Sequence, residues 1–121
     1  MGMYTSIRGW LEIDHAQRGA AEAVIARHHH ELYSGGWAFP VKPFNWTLYL
    51  FFGGDIRDGA VDWFRAQVRE LAALTPIDDD GDRPDGMFLL TDEYGTAVTW
   101  HVRDGAVTEG PAGSLRWFAG R

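Results

Sequence analysis

Cysteine is absent from the 121-residue chain. That excludes disulfides, zinc–thiolate centres, iron–sulfur clusters and a cysteine nucleophile. Lysine is nearly absent: Lys42 is the only one, and the other ten cations are arginines. Positive charge is scarce overall, with 11 Lys plus Arg against 17 Asp plus Glu and a net charge of -6. A protein that tracks the phosphates of an extended nucleic acid needs clustered positive charge, so this balance points instead to a partner with a basic surface. No apolar run approaches the roughly 20 residues of a membrane-spanning helix. No secretory leader pattern opens the chain, and a cytoplasmic protein is the expectation.

What is present suits one packed domain over residues 1–121. Hydrophobic residues make up 45% of the chain, and a chain this long buries roughly two-thirds of the surface it exposes when unfolded. Strict alternation from Met3 to Ile13 predicts a strand, with Thr5, Ile7, Gly9, Leu11 and Ile13 on one face and Tyr4, Ser6, Arg8, Trp10 and Glu12 on the other. Gly9 inside it marks a bulge or a closely approaching neighbour. Asp14 followed by Gln17 has the spacing of a capping box and opens a helix reaching about His30, with Ala21, Val24, Ile25, His28 and Leu32 as its apolar stripe. Ser34-Gly35-Gly36 ends it, and Pro40 and Pro43 confine the Trp37–Pro40 segment to a sheet edge or a loop.

Residues 44–52 form the strongest strand pattern, apolar on both faces, with Trp46, Leu48, Leu50 and Phe52 sharing one of them and Gly53-Gly54 as the expected end. A second helix is expected from Asp58 to Leu74, its stripe being Val61, Phe64, Val68, Leu71 and Ala72. An exposed acidic loop, DDDGDRPDG, follows at 78–86. A meander comes next: a strand from Met87, a turn at 92–95, a strand from Ala97 to Arg103, an Asp104-Gly105 hairpin turn and a short return. Leu115, Trp117 and Phe118 of the C-terminal tail are expected to dock on the body. The order implies an α+β fold: an antiparallel sheet with two helices on one face, a ferredoxin-like core plus a C-terminal β-hairpin.

No decisive catalytic motif appears. Asp78, Asp80 and Asp82 have the spacing of the first three ligands of a calcium loop, but Arg83 replaces the turn glycine and Leu89 the bidentate glutamate. His28, His29 and His30 point about 100° apart on a helix and do not converge on one ion. Positions 24 and 32, one turn from His28, are Val and Leu. Ser6, Ser34 and Ser114 lack a nucleophile elbow. Gly53-Gly54 follows a strand and precedes a helix without the rest of a phosphate-loop motif. No catalytic, metal or cofactor site is therefore expected. Six Trp, seven Phe and four Tyr exceed what a small core requires, and aromatics outside the core stripes are typical interface anchors.

Three segments carry a family resemblance: Met3-Tyr4 through Gly9-Trp10, Gly86 through Glu93 (GMFLLTDE) and Val98 through Gly105 (VTWHVRDG). Together they resemble the small immunity proteins of bacterial polymorphic toxin systems, the seventh immunity family, and small proteins of actinobacteria and their phages. The arginine bias and the 15 glycines fit a high-GC coding source of that kind. The resemblance implies an α+β inhibitor that neutralises a toxin through acidic residues, with no catalytic residue carried over.

The leading expectation is thus a non-enzymatic binding protein that sequesters a basic partner protein. Its contact surface would comprise Asp78, Asp79, Asp80, Asp82 and Asp85 with Trp10, Trp37 and Phe39. The alternatives are a nucleotide-like ligand binder with an aromatic pocket between sheet and helices, and an enzyme using His28 or His101 with carboxylates.

Overall fold

The computed structural model describes residues 3–42 and 44–120. Met1, Gly2, Pro43 and Arg121 lie outside the described residues, including the proline that helped confine the 37–43 segment. Six strands form one antiparallel sheet: β1 (Tyr4–Asp14), β2 (Trp37–Ala38), β3 (Thr47–Arg57), β4 (Asp85–Asp92), β5 (Ala97–Arg103) and β6 (Ala106–Pro111). Their order is β2-β3-β1-β4-β5-β6. The first four strands, with helix α1 (Arg18–Arg27) after β1 and helix α2 (Val61–Ala72) after β3, make the ferredoxin-like core. β5 and β6 extend the sheet beyond β4.

β1 lies between β3 and β4, and its alternation sorts the sheet into two faces. Ile7, Leu11 and Ile13 join Leu48, Leu50, Phe52, Phe88, Leu90 and Trp100 in the main core. α2 supplies Phe64, Val68, Leu71 and Ala72, and α1 supplies Ala21 and Val24. Phe64 is the hub: its ring centroid lies 4.5 Å from that of Phe52, 5.3 Å from those of Trp37 and Phe88, and 5.8 Å from that of Trp100. Such tilted and offset ring pairs add stabilisation beyond the apolar area they bury.

Local chemistry accounts for the boundaries. Asp14 accepts from the Ala16 amide, and the Gln17 side chain accepts from the Asp14 amide. This capping box opens a 3-10 turn (His15–Gln17) that leads into α1. α1 stops at Arg27, shorter than its periodicity suggests, because His28 leaves helical geometry at φ -106°, ψ 26°. Leu32, assigned to the apolar stripe, is consequently 77% exposed. Asp104 and Gly105 adopt φ of 53° and 81°, the two positive values that a tight two-residue hairpin requires.

β3 runs through Gly53-Gly54 to Arg57 rather than ending there, since both glycines pair in register with β1. At Gly9 a Cβ would come within 2.1 Å of the Met87 carbonyl oxygen, so the glycine records a close approach of β4.

The opposite face of the sheet is covered only in part. The C-terminal 3-10 helix (Gly113–Gly120) lies there, and Leu115, Phe118 and Ala119 pack against Leu89, Ala97 and Ala112. Trp117, expected to dock with them, is 67% exposed. Among the described residues, no helix is long and apolar enough to cross a membrane.

Candidate functional site

The acidic loop is held at one end of the sheet. The Arg83 guanidinium donates to the Ala73 and Leu74 carbonyls at 2.9 and 3.2 Å, fixing the loop to the C-terminal end of α2. There a cation meets the negative end of the helix dipole. Asp78 accepts from the Asp80 amide at 3.2 Å, and Gly81 turns the chain at φ +73°. Asp85 then enters β4 directly opposite Glu12 of β1.

That register places two carboxylates side by side on the face away from α1 and α2. Like charges opposite one another destabilise a sheet. Each is partly compensated: the Trp10 indole N–H donates to Glu12 at 3.0 Å, and Arg103 lies 3.5 Å from Asp85. Glu12, Asp14, Asp78, Asp82 and Asp85 together line a cleft of about 330 Å³, with Trp46 and Ile77 beside them. Trp46 is 85% exposed. Space and charge there suit the end of a lysine or arginine side chain, with the indole and Ile77 offering apolar contact to its stem.

The expected contact residues divide. Asp78, Asp82 and Asp85 gather at the cleft, while Asp79 and Asp80 stand exposed on the loop beside it. Trp10 is half-buried and joins the site through Glu12. Trp37 does not take part: it is 8% exposed, with its ring stacked on Phe64 at 24°. The cause is register. Trp37 pairs with Phe52 and therefore points to the helix-covered face, where its indole donates to Gln67 at 3.3 Å. Phe39 is half-buried against the core beneath the Arg18 guanidinium, 4.5 Å from its ring centroid. Neither ring offers a free face like that of Trp46.

Glu12, Asp14, Trp46 and Ile77 were not recognised as site residues from sequence. Glu12 was legible as a polar-face position and Asp14 as a helix cap, but their meeting with Asp85 depends on strand pairing. Alternation extended one step beyond β3 places Trp46 on the face of Leu48, Leu50 and Phe52. The strand begins at Thr47, whose amide is bonded to the Asn45 side chain at 3.2 Å, and this local turn leaves Trp46 outside the ladder.

His28 and His101 sit elsewhere. His28 Nε2 is bonded to Glu70 of α2, which also receives Arg27 at 2.7 Å, and the Trp63 indole donates to the His28 carbonyl at 2.6 Å. The Arg27 and His28 hydrogen bonds hold the Glu70 carboxyl below the ordinary carboxylate range. His101 is exposed on the other face of the sheet, opposite Met87 and Thr108. The two histidines are thus on opposite sides of the sheet. Among the described residues, no three His, Asp or Glu side chains are gathered as metal ligands.

No protein-family model matches the chain. No curated protein and no solved structure matches it either.

Proposed function

We propose that the protein is a non-enzymatic binding module that sequesters or inhibits a partner protein through the acidic end of its sheet. The observation that carries this reading is the cleft where Glu12 and Asp85 face each other and Asp14, Asp78 and Asp82 complete the rim. Five carboxylates against the one guanidinium of Arg83 around that concavity leave a net negative potential that a basic side chain would relieve. The net charge of -6 steers a basic partner toward the protein. Trp46 and Ile77 then supply apolar contact at a surface otherwise dominated by charge, with Trp10 behind Glu12 as a less exposed neighbour. The resemblance to toxin immunity proteins supports the same reading, since it implies inhibition through acidic residues. A cytoplasmic location and a toxin or host factor as partner belong to this proposal.

Capture of interacting proteins from host lysate tests it, comparing the native protein with a Glu12→Gln/Asp78→Asn/Asp82→Asn variant and with Trp46→Ala. One stoichiometric basic partner is expected. The triple variant should bind it at least about tenfold more weakly at low salt, and added salt should narrow the difference. A partner bound equally by all three proteins would place the interface elsewhere.

A further inference from the structure

The uncovered part of the sheet holds a second concavity of opposite character, separate from the acidic cleft. It has a volume of about 520 Å³ and is lined by Trp10, Phe51, Met87, Leu89, Leu115 and Phe118, with Gly53 in its floor. Gly53 pairs with Arg8 in the β1–β3 ladder, and nothing lies within 4 Å of the position a Cβ would take there. The missing side chain leaves a hollow between the Trp10/Phe51 pair and the C-terminal 3-10 helix. The concavity is open to solvent on one side, and its apolar lining and volume fall within the range of small-molecule sites.

One charge borders the hollow. Arg8 donates through Nη1 to Thr91 at 3.1 Å, and its guanidinium lies 5.3 Å from the Phe118 ring centroid. Among the described residues it forms no ion pair. Asp55, Asp92 and Glu93 border its far side and keep their charge, but none is in ion-pair contact with it: Asp55 accepts from Ser6 at 2.6 Å, Glu93 from the Tyr4 amide at 2.8 Å, and Asp92 from the Tyr94 and Thr96 amides at 2.9 Å. A guanidinium has five N–H donors in a fork suited to a carboxylate.

We propose that this cleft binds a small planar aromatic carboxylate. The ring lies over Gly53 among Trp10, Phe51 and Phe118, and the acid group pairs with Arg8. The two sites share Trp10, whose indole donates to Glu12, but they are tested by different variants and ligands, so either proposal can fail without the other.

The test is titration of the isotopically labelled full chain with 1-naphthoate and with its neutral counterpart 1-naphthalenemethanol, read by amide and indole NMR shifts. Saturable shifts at the Trp10 indole and the Gly53 amide are expected, with naphthoate at least about tenfold tighter than the alcohol. Arg8→Gln should erase that preference, Arg8→Lys should keep part of it, and Gly53→Leu should abolish binding of both compounds. Spectral dispersion of each variant reports its folding, and the preference in the native chain decides the matter if a variant unfolds. Absence of saturable shifts, equal affinity for acid and alcohol, or an unchanged preference in folded Arg8→Gln would overturn the proposal. So would a sedimenting dimer that Gly53→Leu dissociates, because the cleft would then be filled by a second copy of the chain.

Discussion

Trp37 and Gln67 show how one polar contact disciplines an aromatic core. Gln67 is fully buried; it accepts from the Trp37 indole at 3.3 Å and donates to the Trp63 carbonyl at 3.3 Å. Trp37→Phe keeps a ring against Phe64 but leaves the Gln67 oxygen without its donor. A buried unsatisfied acceptor costs about 1–3 kcal/mol, so the urea midpoint should fall by that equivalent. Adding Gln67→Leu should recover part of the loss, the non-additivity expected of residues in direct contact. Full stability in Trp37→Phe would show that the bond contributes nothing. The composition made the excess of aromatics visible, but not which of them the fold would use. Trp37 and Trp46 both sit in segments rich in turn residues, and a strand partner in one case and an Asn45 turn in the other sent them to opposite environments.

Among the elements, α1 and α2 are joined through one carboxylate. Glu70 on α2 holds Arg27 and His28 at the end of α1, and its carboxyl titrates below the ordinary carboxylate range because of those two bonds. A lowered folded pKa means that the stabilisation is full above the unfolded value of about 4.3 and is lost as pH falls through the folded one. Glu70→Gln should therefore be less stable than the native protein near neutral pH, and the difference should shrink once the pH drops below the carboxylate range. Denaturant midpoints from pH 7 to pH 3 check this, and a constant difference would count against the linkage. The element order, the capping box and the hairpin turn were readable locally, since each depends on side chains a few residues apart. The ends of α1 and β3 were not: His28 was drawn out of the helix by partners on α2, and Gly53-Gly54 was kept in the strand by pairing with β1.

For the whole molecule, charge is unevenly spread. Five carboxylates crowd one end of the sheet with only local compensation, and relieving their repulsion should stabilise the fold. Raising sodium chloride from about 0.05 to 0.5 M shortens the screening length. It should add on the order of 0.5–1 kcal/mol, the scale of a few like-charge pairs. In Glu12→Gln, which keeps an acceptor for Trp10, the baseline stability should rise and the salt response should shrink. Unfolding curves at both salt concentrations check it; a protein destabilised by salt would mean that attractive pairs dominate the surface.

Composition and periodicity were enough for the α+β class, the two-helix layer, the meander and the exposed acidic loop, because burial of apolar faces and turn chemistry act over short stretches of chain. They were not enough for either cleft. The meeting of Glu12 with Asp85, and of Arg8 with Gly53, Thr91 and Phe118, depends on which strands pair and in what register. Those contacts come from packing distant segments together, and no local spacing records them.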